Sequence, residues 1–176
     1  MRHALTRHPS SAGGAVARVE ADVTCGDSLA ITYLVTGRIA HLVLPHFTTP
    51  VRTDELWRHT CFEAFAGAEP GGAYYEFNFS PSTQWAAYRF SGYRKGMTAA
   101  DITPPCIRME SNDDTCALTV ELGLGGLALL KREWRLGLSA VIEELGGRKS
   151  YWALAHPQGD PDFHHSVCFA LSLPAA

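Results

Sequence analysis

Three runs decide the fold: Leu56-Trp57-Arg58-His59-Thr60-Cys61-Phe62-Glu63-Ala64-Phe65-Ala66, Ala73-Tyr74-Tyr75-Glu76-Phe77-Asn78-Phe79-Ser80, and Gln84-Trp85-Ala86-Ala87-Tyr88-Arg89-Phe90-Ser91-Gly92-Tyr93. Each is short and aromatic-rich, and each stops at turn-forming residues, Gly67 to Gly72 after the first and Pro81-Ser82-Thr83 after the second. Connections of that length join antiparallel neighbours. Side chains alternate across a strand, and directly opposed residues share a face, so a trial register can be judged by the chemistry it sorts.

If the first hairpin closes about Glu69-Pro70, Phe62 faces Phe77, Thr60 faces Phe79 and Ala64 faces Tyr75, which makes one face apolar. The reverse face then sets Glu63 against Glu76, Cys61 against Asn78 and His59 against Ser80. If the second hairpin places Trp85 beside Ser80 and Arg89 beside Glu76, then Ala86, Tyr88 and Phe90 join the apolar side. The predicted polar face thus carries Trp57, His59, Glu63, Glu76, Asn78, Trp85 and Arg89. Indoles for stacking, with carboxylates, an amide and a guanidinium for orientation, suit a polar ring such as a sugar. A plainer reading is a solvated face with a weak ion-pair row. Large aromatics clustered on such a face favour the ligand. A one-residue slip in either hairpin would mix the two sets.

Outward from this meander, residues 15 to 24 and 28 to 36 read as strands around the Cys25-Gly26-Asp27 turn, and 38 to 44 as a third. Strand-like runs recur near 106 to 111, 115 to 122, 134 to 145, 150 to 156 and 166 to 173, and only residues 124 to 131 suit a short helix. About ten short strands without long helices predict an all-β antiparallel sandwich, immunoglobulin-like or jelly-roll. Residues 1–14 read as a flexible N-terminal segment and 15–176 as one domain.

The 176 residues, 46% of them hydrophobic, suffice for one substantial core. Fifteen Lys and Arg stand against eighteen Asp and Glu with no like-charge run, which argues against a nucleic-acid or anionic-membrane partner. Neither a signal-peptide core nor a membrane-length apolar run is visible, so a cytoplasmic protein is expected. Five cysteines without a CxxC pair fit reduced, packed thiols. The oligomeric state stays open.

The runs quoted above, with the closing Ala155-His156-Pro157 to Asp162-Phe163-His164-His165, resemble the bacterial DOMON-like domain proteins, relatives of family 9 carbohydrate-binding modules and of haem- and sugar-binding DOMON domains. The resemblance extends from about Ala15 onward and is most specific over Trp57 to Tyr93. It implies a sandwich of roughly ten strands and a non-catalytic role in binding a saccharide. On that resemblance Glu63, Glu76, Asn78 and Trp85 fall in the ligand-bordering block, and Trp152, His156 and His164 in the C-terminal block beside it.

Other chemistries compete. Some DOMON domains hold haem between a Met and a His, and Met97 with His156 or His164 is the available pairing here. His156, Asp160, Asp162, His164 and His165 crowd ten residues and could serve a divalent ion, calcium included, although no metal-ligand spacing motif supports it. No cofactor is required by the sequence. Glu63 facing Glu76 would approach the separation of a retaining glycosidase pair. Cys61 and His59, two residues apart on a strand, stand about 7 Å apart, too far for a nucleophile and its base. No GxSxG elbow, P-loop or GxGxxG fingerprint occurs. The balance favours a binding domain over a catalyst.

Overall fold

The computed structural model describes residues 1–175. Twelve strands form, all paired antiparallel: β1 (Arg2–Arg7), β2 (Val16–Cys25), β3 (Ser28–Gly37), β4 (Cys61–Gly67), β5 (Tyr74–Phe79), β6 (Trp85–Phe90), β7 (Thr98–Ala99), β8 (Cys106–Ser111), β9 (Thr115–Gly123), β10 (Trp134–Glu143), β11 (Lys149–Ala153) and β12 (Leu171–Leu173). The first sheet runs β1-β2-β3-β9-β8 and the second β7-β6-β5-β4-β10, with β11 and β12 sharing the far side of β10. The expected antiparallel β-sandwich is the observed fold.

One apolar layer lies between the sheets. Alternate residues of β2, β3 and β9, among them Val19, Ile31, Val35 and Leu118, meet Phe62, Phe77, Phe79, Leu138 and Ile142 from the second sheet. Tyr33 links the two: its ring lies 5.1 Å from that of Phe62, and its hydroxyl donates to the Glu63 carbonyl at 2.7 Å. The carbonyl thereby satisfies a phenol that would be costly to bury alone.

Three local expectations change. Residues 1–14 do not open as a flexible arm, because β1 pairs with β2 through Arg2–Leu5 and with β11 through Thr6 and Arg7, passing from one sheet to the other. Its polar composition hid this, since only Leu5 of the strand is buried. Residues 38–44 form a 3-10 turn at Ile39–His41 rather than a strand, and the anticipated helix at 124–131 is reduced to a 3-10 turn at Ala128–Leu130.

The decisive correction concerns the second hairpin. β4 and β5 pair Phe62 with Phe79 and Glu63 with Asn78, two residues away from the expected register, which leaves each side chain on its predicted face. β5 and β6 pair Phe79 with Trp85 and Glu76 with Tyr88, an offset of one, which inverts every side chain of β6. The cause is the turn: Ser80 N–H donates to the Gln84 carbonyl around a Thr83 held at φ 74°, so an odd number of residues closes the loop. Threonine seldom takes that left-handed conformation. It is held there by Thr83 Oγ1 donating to the Thr48 carbonyl and by Ser82 bridging Ser80 and Gln84.

Candidate functional site

The outer face of the second sheet carries the polar residues the sequence singled out, in rows fixed by the pairing. Ala86, Asn78, Glu63, Ser139 and Ala153 cross from β6 to β11 in one row. Tyr88, Glu76, Phe65 and Gly137 form the next, and Phe90, Tyr74 and Gly67 a third. This face is not open to water. The C-terminal stretch from Ala155 to Phe169 lies over it, packing Phe163, Cys168 and Phe169 against Phe65, Tyr74, Val141 and Ala153. Gly137 permits the approach, because a Cβ there would sit 3.0 Å from the Cys168 carbonyl oxygen and 3.1 Å from the Phe169 ring.

Beneath that cover Glu63 and Glu76 are 3% and 6% exposed. Asn78 Nδ2 donates to Glu76 Oε1 at 2.8 Å, and the Cys61 thiol lies 3.9 Å from Asn78 Oδ1. Glu63 Oε1 and Ser139 Oγ are buried without a hydrogen-bond partner. Burial, and then the neighbouring Glu76, push the Glu63 carboxyl well above the usual range; Ser139 is near enough to favour the anion without being placed to bond it. Burial raises Glu76 too, against the opposing pull of Asn78 and Arg94. Each carboxyl therefore tends to hold its proton, and the pair has an acceptor oxygen to spare.

His164 connects the carboxyls to the surface. The Arg94 backbone N–H donates to the Tyr74 oxygen at 3.2 Å, so the Tyr74 proton goes to His164 Nδ1 at 2.7 Å. That leaves His164 Nε2–H facing Glu76 Oε2 at 3.7 Å. Burial, and then Arg94, lower the His164 pKa to about 4, so the ring is neutral at physiological pH. Phe65, Tyr74 and Phe90 enclose it. Asp162 fixes the outer edge, accepting from Arg94 at 2.7 Å and from the Tyr93 hydroxyl, and those donors hold its carboxyl below the usual range although burial opposes them.

Two clefts adjoin this cluster. One of about 240 Å³ is bounded by Tyr74, Tyr93, His164, His165 and Phe169. A wider one of about 670 Å³ is bounded by Tyr93, His156, Gln158, Asp160, Asp162 and His165. Tyr93 and His165 line both.

The ten expected site residues separate accordingly. Glu63, Glu76, Asn78 and His164 meet on the outer face. Trp57 stays at its margin, 47% exposed, on the 3-10 turn Leu56–Arg58 that packs against β4 and β5. His59 pairs with Glu143 at 2.7 Å on the same margin. His156 lines the wider cleft, its Nε2–H donating to the Thr6 carbonyl at 2.8 Å. Trp85 does not belong to the polar face: the inverted β6 buries it in the inter-sheet core under the Arg52 guanidinium, 4.6 Å away. Arg89, inverted with it, is exposed beside Thr98 at the sheet edge. Trp152 also points inward, its Nε1–H donating to Ser150 at 2.9 Å. In exchange Tyr88 and Phe90 come to the outer face, with Tyr88 donating to Asp54 at 2.6 Å.

The register also separates Glu63 from direct opposition to Glu76, placing them diagonally. The facing pair on which a glycosidase reading rested is absent. Among the described residues no three His, Cys, Asp or Glu side chains converge as metal ligands. Met97 is largely exposed. Sequence reasoning missed Tyr74, Tyr93, Ser139 and Phe169, which only the register and the returning C-terminal stretch bring together.

No family model and no curated protein matches this sequence. Solved structures share its fold. A candidate carbohydrate-binding protein from Bacteroides uniformis superposes with a TM-score of 0.66 at 11% identity, over 96% of this chain and 84% of that one. A family 9 carbohydrate-binding module from Caldicellulosiruptor kristjanssonii, solved with glucose and with cellotriose, aligns at a TM-score of 0.50 and 14% identity over 85% of this chain, covering 72% and 70% of the two module chains respectively.

Proposed function

We propose that this chain is a non-catalytic, DOMON-like carbohydrate-binding domain that takes a saccharide at the outer face of its second sheet. The observation that carries this reading is the Asn78–Glu63–Ser139 row, in which a buried carboxyl oxygen and a buried hydroxyl have no partner. An unmet buried polar group costs about 1–3 kcal/mol; the Trp85 and Trp134 indole N–H groups of the inner core are unmet as well, but in this row a carboxyl and a hydroxyl lie unmet side by side. A polyhydroxylated ligand supplies the missing partners. Trp57 offers an exposed ring for a pyranose to stack on at the Cys61 end of this face, and the cleft at Tyr74, Tyr93 and His164 opens at its other, Gly67 end. The shared fold with modules solved on glucose and cellotriose supports the same ligand class.

Calorimetric titration with a panel of mono- and oligosaccharides tests this. Saturable binding is expected, weakened roughly fivefold to tenfold in Trp57→Ala, since a lost stacking contact of about 1–1.4 kcal/mol has that effect. Chromogenic glycosides should not turn over. Absence of binding to any glycan would refute the reading, and measurable turnover would reassign the carboxyls.

A further inference from the structure

Among the described residues the strands follow one continuous path, and that path has two ends. One end is blunted, because β7 is only two residues long. The other is β8, six residues long and paired with β9 from Cys106 to Ser111 without a bulge. Outside that ladder no backbone hydrogen bond reaches Cys106–Ser111 among the described residues, so the outer row of N–H and C=O groups is unpaired. Such an edge is a template for another strand, and proteins usually shorten it, bulge it or cover it. The side chains of β8 indicate which strand would fit. Ile107 and Met109 face the core, with Met109 only partly buried at its rim. Arg108 and Glu110 are exposed on the opposite face, beside the uncharged Thr119 and Ala117, and neither makes an ion pair or side-chain hydrogen bond among the described residues.

A lone charge on an edge discourages pairing. Two charges of opposite sign, two residues apart, instead complement a copy of themselves running antiparallel. In an antiparallel pair, directly opposed residues aim their N–H groups alike, both across the seam or both away from it. Two copies of one edge can therefore pair only in registers centred on a residue, never between two. Centred on Arg108, the guanidinium faces its own copy, and centred on Glu110, the carboxylate does. Centred on Ile107 or Ser111, the overlap shortens. Centred on Met109, Arg108 lies opposite Glu110 of the second copy and Glu110 opposite its Arg108, while the two Met109 side chains meet and carry the apolar layer across the seam. Pro105, which has no N–H to give, falls past the end of that pairing. We infer that this chain pairs with a second copy of itself through β8, antiparallel and centred on Met109, joining the two first sheets into one. The interface stands apart from the carbohydrate reading and does not rest on it.

Sedimentation velocity at low salt, over roughly 10 to 500 µM protein, tests this, since a single strand pair is a small interface and its dimer should dissociate on dilution. Arg108→Glu sets like charge against like charge at both symmetric positions and should weaken self-association by about tenfold, as should Glu110→Arg. Mixed together, the two single variants should associate at least as tightly as the wild type, because each supplies the charge the other lacks. The double variant R108E/E110R should dimerise on its own. Both side chains are exposed, so the variants should melt as the wild type does. A wild type that stays monomeric across the range, or a dimer indifferent to both substitutions, overturns the inference. So does a mixture of the two single variants in which they fail to associate.

Discussion

The two faces of the second sheet are buried almost equally and built on opposite terms. The inner face meets another sheet, and its Phe62, Phe77, Phe79 and Trp85 contribute chiefly apolar area. The outer face meets an irregular strap of chain, and among its aromatics lie Glu63, Glu76, Asn78 and Ser139. A residue burying hydrocarbon adds to stability, whereas a buried carboxyl with a free oxygen subtracts from it. Burial therefore does not separate core from site here. Nor do unpartnered atoms by themselves, since the Trp85 and Trp134 indole N–H groups of the inner layer are also buried without a partner; the clustering of carboxyl, amide and hydroxyl side chains does.

The contrast breaks most visibly at Trp85. Trp85→Ala should cost about 3–5 kcal/mol in urea denaturation, in line with removing an indole from a closed core. Little destabilisation together with lost saccharide binding would instead return Trp85 to the outer face.

The next largest effect is expected at His164. Its folded pKa, about 4, lies below the ordinary 6.5, so its contribution to stability is present above pH 6.5 and lost as pH falls toward 4. A shift of that size corresponds to about 3 kcal/mol. The stability difference between the wild type and His164→Gln should accordingly shrink by about that amount from pH 7 to pH 4. A difference that stays constant would mean the ring protonates freely in the folded state.

Glu63 should show the reverse sign. With its folded pKa raised, its contribution is present below the usual carboxyl range and lost as pH rises through the folded value. Glu63→Gln should flatten the decline of wild-type stability above about pH 4.5 and raise stability at pH 8 by about 1–3 kcal/mol, the cost of an unmet buried group. A destabilised Glu63→Gln with an unchanged pH profile would show the carboxyl to be satisfied in the folded protein. Smallest in stability is Trp57→Ala, where an exposed side chain should change unfolding by less than about 0.5 kcal/mol while binding weakens. A large stability loss there would move Trp57 from ligand platform to structural cover.

The alternation within each run was enough to read a sandwich and to place Glu63, Glu76 and Asn78 on a common face, because a strand presents its side chains with period two whatever it packs against. An error of two residues in the first hairpin did no harm to that assignment. The second hairpin depended on whether its loop held an even or an odd number of residues, and local sequence does not say, because Pro81-Ser82-Thr83 contains neither the glycine nor the asparagine that usually marks a left-handed turn. Thr83 takes that conformation only because Thr48, from a distant stretch of chain, accepts its hydroxyl. The same holds for the cover on the outer face: His164 and Phe169 lie about ninety residues from Tyr74 and Glu76, and nothing local states that Gly137 leaves room for them. The sequence by itself determined the strands and the parity of β4 and β5, which are set by neighbours one and two residues away. The parity of β6, the burial of Trp85 and the closing of the carboxyls beneath the C-terminal strap were decided by tertiary structure, because each depends on contacts between segments that meet only once the chain has folded.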